Sequence, residues 1–543
     1  MPQHDRYYAA ADVKRKRGNA MEYIAAIGFV VISILAYNRE ERINRFLSLH
    51  RRTKQILPFL ICFIISFFFV IKLHLSPFNN LELYPDSSVF LYIGKYMHDG
   101  MIPYRDLFDH KGVILYFIEY IGCIFGFGNG IGVWIIELFN MFVSAIIFYL
   151  IAKLLTSSRI ICYAVVYIII SLCSFKFYQG GNLVEEYALP WISISLYIVT
   201  NFFITKKIKK WQIITLGISF AVVFFLRVNM VGLWGALLLS VIIYLIKTKR
   251  ITDLFICSLL FIVGCLIVSI PVFVYLSATD SLKNMIEYYF VFNFAYTGSN
   301  SKNEIISFIL NCLYSAGISC VFIVFSLVVY RKNKIMWLNF ITLLFAFLSS
   351  AISGRSYRHY GIILIPFFVI PAVYTMIPVM GKIKKISLSI NRKSVLAAII
   401  FVCVFCVVLD PAKYLINNIN AGKSIDSINE YLCSDTTKED DVLVLGNKVL
   451  TYINSDRHTK NKFFYQVPPI DVSDKLYQEF ISELESNPSD YIINLSVSDS
   501  SDSEQESENS ANHQKVIEYL DGECEKGIYT LEKYDDFQVY VRK

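Results

Sequence analysis

Charged residues make up only 17% of this 543-residue sequence, well below the share found in an ordinary soluble domain. Hydrophobic residues make up 55% and aromatic residues 15%. Apolar runs of roughly 17–25 residues, each long enough to cross a bilayer as a helix, recur from residue 56 to residue 409. The backbone polar groups of a membrane-spanning segment need partners inside the protein, so helices are the expected spanning elements. The composition therefore excludes a soluble globular protein and predicts a polytopic helical membrane protein.

Several other features are missing. The first 20 residues are polar and basic, and no small-residue cleavage site follows a short apolar core, so no cleavable signal peptide is expected. No internal repeat is visible. The twelve cysteines lie mostly in apolar runs, and the only CxxC spacing, at Cys403 and Cys406, falls inside an apolar helix, where we interpret it as packing. Cys433 and Cys524 lie in the polar C-terminal region, where they could form a disulfide if that region is outside the cytoplasm.

Positive charge is scarce near the C-terminus and concentrated in short segments before it. From Asp410 to the end there are 13 Lys and Arg against 26 Asp and Glu, whereas the preceding part has 38 basic and 18 acidic residues. The basic excess lies between apolar runs, at 38–54, 206–210, 247–250, 331–334 and 381–393. The positive-inside rule predicts that these segments are cytoplasmic.

The basic segments decide which apolar runs cross the membrane. If all twelve runs crossed, the basic loops would not share one side with the basic segment before residue 55. The run at 113–127 is short and contains Glu119, and treating it as an interfacial helix places every basic loop on one side. The eleven predicted crossings are 56–74, 131–155, 160–177, 186–204, 211–226, 230–246, 253–276, 305–330, 335–352, 361–379 and 394–409. A further helix at 21–37 would raise the number to twelve.

This topology divides the chain into three regions. Residues 1–55 form a cytoplasmic or partly membrane-embedded segment, and residues 56–409 form an all-α transmembrane domain. Its first outer loop, 75–130, is long and contains interfacial helices. Residues 410–543 form a small extracytoplasmic α/β domain in which 496–513 is a polar, low-complexity, mobile insert.

The first outer loop is unusually rich in ionisable and aromatic residues, in the sequence YPDSSVFLYIGKYMHDGMIPYRDLFDHKG. Asp86 follows a proline and precedes an amphipathic run, a pattern typical of a helix N-cap, although a carboxylate there could also accept a proton. Asp109, His110 and Lys111 come just before the interfacial helix, at the depth of a lipid phosphate. Lysine binds phosphate as a point charge. An interfacial lysine beside a capping aspartate would give the same pattern.

Two carboxylates and an arginine lie near the predicted outer ends of later spans. GGNLVEE places Glu185 and Glu186 at the start of a span, where they are either helix-dipole partners or substrate contacts. Because adjacent helix positions point in different directions, we expect only one of them to face the bundle interior. Arg227 lies in a very short connection and should face a cavity, a partner or the interface.

The segment SGRSYRHY, 353–360, carries a second group of cations. Arg355, Arg358 and His359, with Tyr357 beside them, are the residue types of an anion clamp. Arginine and tyrosine are also common anchors at the membrane interface, so both interpretations stand at this point.

The order of these motifs resembles the bacterial glycosyltransferases of the GT-C superfamily, specifically the glycosyltransferase family 39 or protein-mannosyltransferase-like group that includes aminoarabinose transferases. The resemblance extends over residues 56–480 and is carried by PDSSVFLYIGKYMHDGMIPYRDLFDHKGVILYF, GGNLVEEYALP, RVNM and YRHYGIILIP. One departure concerns the first acidic site, where many relatives have Asp-Glu and this chain has Asp86 followed by Ser87.

The resemblance implies an integral membrane glycosyltransferase that uses a polyprenyl-phosphate sugar donor and acts at the outer face of the cytoplasmic membrane, with inversion at the sugar carbon. It implies catalytic roles on the acceptor side for Asp86 and Asp109. The residues expected to bind the donor phosphate are Lys111, His110, Arg227, Arg355, Arg358 and His359. Those expected to contact the acceptor are Glu185, Glu186 and Tyr357.

The partners expected from the resemblance are the lipid-linked donor, membrane lipid and a lipid, glycan or protein acceptor, with no nucleic acid. No cofactor is required, although the carboxylates could hold a divalent metal ion. Two other functions share the topology: a transporter or flippase of lipid-linked saccharides, and a non-catalytic envelope-assembly protein. The first is disfavoured by polar clusters that lie at span ends and by the lack of a visible repeat.

Overall fold

The apolar runs fold as long helices, in which backbone polar groups pair within the segment. The structure is a computed structural model that describes residues 33, 36–37, 39–49, 51–78, 81–126, 130–297, 302–352, 354–384, 427–495, 511–534 and 537–543. Among these residues, the helices long and apolar enough to cross a membrane are Arg52–Val70, Ile131–Leu155, Arg159–Tyr178, Val184–Thr205, Val228–Lys247, Ile251–Ala278, Lys334–Ala351 and Arg358–Gly381. The chain is thus a multi-pass helical membrane protein.

The helices follow one another with short connections. The first half of the described chain contains α1 (Glu40–Leu49), α2 (Arg51–Val70), α3 (Pro85–His98), α4 (Val113–Phe125), α5 (Ile131–Leu155), α6 (Arg159–Ile168), α7 (Phe175–Tyr178), α8 (Val184–Thr205) and α9 (Lys210–Phe224). The rest of the membrane part contains α10 (Gly232–Lys247), α11 (Ile251–Ala278), α12 (Leu282–Met285), α13 (Asn293–Thr297), α14 (Lys302–Ala316), α15 (Ile318–Val329), α16 (Lys334–Ala351) and α17 (Val369–Lys384).

Irregular helical turns join some of these segments. The π-helical turn Ile169–Ser174 joins α6 to α7, and the π-helical turn Ile286–Phe292 joins α12 to α13. The 3-10 helices Val228–Val231 and Arg358–Phe368 lead into α10 and α17. Each span that follows a 3-10 segment is therefore only partly α-helical.

The predicted crossings agree with the structure except at two described places. The run 305–330 is not one straight helix, because Gly317 adopts a left-handed φ of 48° and α14 and α15 meet at a bend of 87°. The run 211–226 forms α9, whose 15 residues span only about 22 Å, less than the hydrocarbon core. The predicted span at 394–409 and most of the predicted helix at 21–37 lie outside the described residues.

The chain packs as two compact units, each made of three stretches. The first unit comprises Met1–Leu81, Trp134–Ser269 and Ser301–Gly422. The second comprises Glu82–Val133, Ile270–Asn300 and Lys423–Lys543. The helices of the predicted first outer loop, α3 and α4, therefore fold together with the C-terminal region.

The C-terminal region contains a four-stranded mixed sheet. Its strands are β1 (Val442–Val444), β2 (Tyr491–Leu495), β3 (Tyr529–Lys533) and β4 (Phe537–Arg542). They are ordered β1-β2-β4-β3; β1 and β2 are parallel, and β4 is antiparallel to both of its neighbours. The helices of this region are α18 (Ser427–Asp435), α19 (Val449–Ser455), α20 (Pro469–Val472), α21 (Asp474–Ser486) and α22 (Ala511–Glu525). The predicted α/β character of the region is confirmed.

Local signals explain where the C-terminal helices begin. The Ser473 hydroxyl accepts a hydrogen bond from the Leu476 amide and caps α21. Helix α22 begins at Ala511, so the predicted insert 496–513 extends too far; its residues 496–510 lie outside the described part. The side-chain amide of Asn512 donates to the Ile470 carbonyl at 2.8 Å, and this bond holds the start of α22 against α20. Cys433 and Cys524 both have free thiols.

Candidate active site

The FDHKG turn, residues 108–112, is built around the buried carboxylate of Asp109. Its Oδ1 accepts hydrogen bonds from the Tyr465 hydroxyl and the His110 amide, each at 2.7 Å, and its Oδ2 accepts one from the Tyr116 hydroxyl at 2.9 Å. Asp109 is 1% exposed, so this set of donors replaces the water that a buried carboxylate loses. The contacts favour an anchoring role for Asp109, because its oxygens are already occupied.

Tyr116 connects the carboxylate to the backbone of the turn. Burial, and then the charge of Asp109, raise the pKa of Tyr116, so this phenol stays protonated and can donate. Its oxygen also accepts from the Lys111 amide at 3.1 Å. The Lys111 carbonyl accepts from the Tyr104 hydroxyl at 2.6 Å, and the His110 carbonyl accepts from the Asn293 side chain at 2.8 Å. The backbone that carries the two basic side chains is therefore fixed from several directions.

The Lys111 ammonium lies at the half-buried edge of this turn. Its Nζ is 2.7 Å from Nε2 of His110 and 6.0 Å from the centre of the Phe90 ring. Within the described residues, Lys111 forms no ion pair with a carboxylate. A cation that is held in place but not neutralised can bind an anionic group such as a phosphate.

Asp86 lies in the first turn of α3 and not at its N-cap. Tyr84 occupies the N-cap position and Pro85 the first helical position, so the predicted capping role for Asp86 is wrong by two positions. The half-buried Asp86 carboxylate makes no hydrogen bond or ion pair within the described residues.

In the first unit, Glu185 and Arg227 form a tight ion pair. Arg227 Nη1 lies 2.5 Å from Glu185 Oε1, and Nη2 donates to the Tyr360 hydroxyl at 2.6 Å. The guanidinium carbon also lies 4.0 Å from the centre of the Tyr360 ring. Both charged side chains are at most 16% exposed. Arg227 is thus neutralised by protein groups, which favours a structural role over phosphate binding.

Glu186 is completely buried beside Glu137 of α5, and neither of its carboxyl oxygens accepts a hydrogen bond within the described residues. Glu137 Oε1 accepts from the Asn182 amide at 2.6 Å. The expectation that only one of Glu185 and Glu186 faces the interior is wrong, because protein surrounds the first turn of α8 on both sides.

The YRHY segment contains one buried and two half-buried basic residues. His359 is 5% exposed; its Nδ1 lies 3.0 Å from the Gln179 Oε1, which also accepts from the His359 amide. The Arg358 guanidinium lies 5.4 Å from the Tyr314 ring. Arg355 and Arg358 are half-buried, and Tyr357 is exposed. The two arginines are better placed than His359 to meet a ligand.

The structure brings together motifs that are far apart in sequence. In the first unit, Gln179–His359 and Glu185–Arg227–Tyr360 connect the GGNLVEE, RVNM and YRHY segments. In the second unit, Tyr116 and Tyr465 contact the FDHKG turn, which carries Asp109, His110 and Lys111. Among the residues that the structure describes, no three His, Cys, Asp or Glu side chains are arranged to hold a metal ion.

Sequence reasoning missed Glu137, Gln179, Tyr116 and Tyr465. Glu137 could have been found, because a lone acidic residue inside an apolar run usually has a specific partner. Tyr465 had no comparable signal, since it lies 356 residues from Asp109 in the chain.

Residues 47–409 match the family model described as "Putative competence-induced protein Ccs4 N-terminal domain". The chain belongs to this family. A comparison with curated protein sequences found no significant match.

The fold has solved counterparts. ArnT from Cupriavidus metallidurans bound to undecaprenyl phosphate superposes with a TM-score of 0.58 at 12% identity, over 90% of this chain and 98% of that one. Its apo state gives 0.56 at the same identity and coverage. An oligosaccharyltransferase from Archaeoglobus fulgidus, in complex with Zn and sulfate, gives 0.41 at 11% identity, over 80% of this chain and 67% of that one. ArnT is an aminoarabinose transferase of the GT-C type, so the GT-C-like fold implied by the motif order is confirmed.

Proposed function

We propose that the chain is a membrane glycosyltransferase that transfers a sugar from a polyprenyl-phosphate donor to a hydroxyl of a cell-envelope acceptor, at the outer face of the cytoplasmic membrane. The observation that carries the proposal is the FDHKG turn, in which a buried Asp109 that accepts three hydrogen bonds holds a lysine that, among the described residues, pairs with no carboxylate. The ArnT structure supports the class of donor, because that GT-C-fold protein was solved with undecaprenyl phosphate bound.

Lys111 is the proposed ligand of the donor phosphate. When the bond between the sugar carbon and the phosphate oxygen breaks, negative charge grows on the leaving polyprenyl phosphate. A fixed ammonium group stabilises that charge without having to reorganise. His110, whose Nε2 lies 2.7 Å from Lys111 Nζ, orients the ammonium group.

Asp86 is the proposed base for the acceptor. Its carboxylate takes the proton of the acceptor hydroxyl as the acceptor oxygen forms its bond to the sugar carbon and the phosphate leaves with the bonding electrons. Attack from the side opposite the phosphate inverts the sugar carbon. The lack of a protein partner within the described residues leaves Asp86 free for this role, in contrast to Asp109.

The other residues with proposed substrate contacts lie in the first unit. Arg355 and Arg358 stay proposed ligands for the donor phosphate because both are half-buried. Tyr357, which is exposed, stays a proposed acceptor contact. The Glu185–Arg227 pair and the Glu137–Glu186 pair would hold the surrounding backbone, so we propose no direct contact of these four residues with substrate.

The test uses the purified full-length chain in lipid nanodiscs, with undecaprenyl-phosphate-linked sugars extracted from bacterial membranes as donors. We expect release of undecaprenyl phosphate and incorporation of sugar into envelope material. Movement of intact lipid-linked sugar across proteoliposomes without bond cleavage would favour a flippase instead. Failure to bind undecaprenyl phosphate at all would contradict the enzyme proposal and favour an assembly protein.

A further inference from the structure

The FDHKG turn is completed by a segment far along the chain. Segment 457–465 belongs to the C-terminal region and lies in the same compact unit as the turn. We infer that this segment is part of the donor site and that Tyr465 is a positioning residue, which fixes Asp109 and through it Lys111. The inference rests on the proposed function only for the role of Lys111.

The segment meets the turn through both backbone and rings. The Phe108 amide donates to the Lys462 carbonyl at 2.9 Å. The Phe108 ring stacks on Phe463 with centroids 5.0 Å apart, and lies 5.8 Å from the Tyr465 ring. Through these contacts the C-terminal region, which carries the sheet, packs directly against Phe108, the residue that precedes Asp109.

The hydroxyl of Tyr465 supplies a specific polar contact. It donates to Asp109 Oδ1, the same oxygen that the His110 amide reaches. Without this hydroxyl, one donor to a buried carboxylate is lost, and the carboxylate must turn or take up water. Because Asp109 holds the His110 amide directly and the Lys111 amide through Tyr116, its movement displaces the backbone that carries the phosphate-binding side chains.

The same segment also holds α3, the helix that begins beside Asp86. Phe464 stacks on Tyr92 at 4.4 Å between centroids and 17° between planes. The Thr459 amide donates to the Tyr92 hydroxyl, and the Tyr96 hydroxyl donates to the Arg457 carbonyl at 3.1 Å. One short segment therefore contacts both the helix of the proposed base and the turn of the proposed phosphate ligand.

Removal of one atom, the hydroxyl oxygen of Tyr465, separates a role in ring packing from a role in positioning Asp109. Tyr465→Phe keeps the ring against Phe108 and removes only the oxygen that reaches Asp109. Tyr540→Phe is a matched control, because Tyr540 is equally buried in the second unit and its hydroxyl donates to a carboxylate, Asp521, at 3.0 Å, within the C-terminal region. Both variants lose a Tyr–Asp hydrogen bond, but only the first touches the turn.

The experiment measures two quantities on the full-length chain in detergent: hydrogen exchange of the amides in residues 109–112, and affinity for undecaprenyl phosphate. For Tyr465→Phe we expect faster exchange in this peptide and about tenfold weaker binding, the size expected for a lost hydrogen bond to a charged group. Tyr540→Phe should leave both unchanged. In an Asp109→Asn background, Tyr465→Phe should add little further loss, because the two residues act through one contact.

The outcomes separate this inference from the proposed function. Unchanged exchange in residues 109–112 of Tyr465→Phe would overturn the positioning role, whatever the lipid affinity. Equal effects of Tyr465→Phe and Tyr540→Phe would also overturn it, because general destabilisation would then explain both. Faster exchange together with a wild-type chain that does not bind undecaprenyl phosphate would support the positioning of the turn and contradict the proposed function.

Discussion

At the scale of single residues, three charged side chains of the second unit occupy different environments. Asp109 is buried and accepts three hydrogen bonds, whereas Asp86 is half-buried and has no partner within the described residues. Lys111 contacts an imidazole and an aromatic ring but no carboxylate in the part of the chain that the structure describes. The proposed function uses these differences: Asp109 anchors the turn, Asp86 takes the proton and Lys111 binds the phosphate.

Removal of the Lys111 charge should weaken donor binding. For Lys111→Ala we expect affinity for undecaprenyl phosphate to fall roughly 10- to 100-fold, because a charge-assisted contact to phosphate is lost. Lys111→Arg should retain part of the affinity, since the positive charge remains. Lipid binding can be followed by native mass spectrometry. The control is Lys283→Ala, an exposed lysine of the same unit; an equal effect of both variants would mean that Lys111 contributes only general surface charge.

Loss of the Asp86 carboxylate should slow transfer without weakening donor binding. Asp86→Asn keeps the size of the side chain but cannot accept a proton as a carboxylate does. We expect kcat to fall about 10²–10⁴-fold, the usual contribution of a general base, with undecaprenyl phosphate affinity unchanged. Steady-state kinetics and the binding measurement together test this. Full activity in Asp86→Asn would rule out its role as the base.

At the scale of elements, the loop between α7 and α8 is an unusual connection. Four of its five residues, Gln179, Gly180, Gly181 and Asn182, have positive φ, at 44°, 108°, 90° and 51°. The loop is held because the Asn182 amide donates to Glu137 and the Gly180 carbonyl accepts from the His74 amide. A tight left-handed loop thus sets where α8, with Glu185 and Glu186, begins.

A side chain at Gly181 should destabilise this loop. Its φ of 90° disfavours any L-residue, and a Cβ atom would lie 2.5 Å from Glu137 Oε1. We expect Gly181→Ala to cost roughly 1–3 kcal/mol of unfolding free energy, seen as a lower melting temperature in detergent. Gly381→Ala is the control, because its added Cβ meets no atom within 4 Å and alanine favours a helix. A melting temperature for Gly181→Ala at or above that of the wild type would show that a Cβ atom at this position causes no strain.

At the scale of the whole molecule, the uneven charge predicts how the chain is oriented. The basic segments share one side of the membrane, as the positive-inside rule requires, only if α9 and the bent pair α14–α15 each cross once. The predicted orientation places the C-terminal region, with its net negative charge, outside the cell. The proposed function requires this orientation, because the lipid-linked donor must meet an envelope acceptor.

Cys433 is a native labelling site that can report on which side of the membrane the C-terminal region lies. Its thiol is free and exposed in the C-terminal region. In a Cys524→Ser background, which removes the other free thiol described in the C-terminal region, we expect a membrane-impermeant maleimide to modify Cys433 in intact cells, and Cys433→Ser to abolish this labelling. Lys207→Cys, in the exposed basic loop after α8, should react only after the cells are permeabilised. Labelling of Lys207→Cys but not of Cys433 in intact cells would reverse the predicted orientation.

The sequence by itself determined the membrane class, most span positions, a short apolar helix within 113–127 and the α/β character of the C-terminal region. These features depend on hydropathy, charge and local signals, which act over tens of residues. The bend at Gly317, the short α9 and the burial of both Glu185 and Glu186 were not predicted, because each depends on which helices pack nearby.

Only the tertiary structure decided the surroundings of the charged residues, on which their proposed roles rest. Asp86 and Asp109 are the same residue type in one loop, yet one is unpartnered within the described residues and the other accepts bonds from Tyr116 and Tyr465. Arg227 was a plausible phosphate ligand until Glu185 was seen to neutralise it. The ability of a charged group to bind substrate depends on the protein groups already around it, and chain folding brings those groups from positions hundreds of residues away.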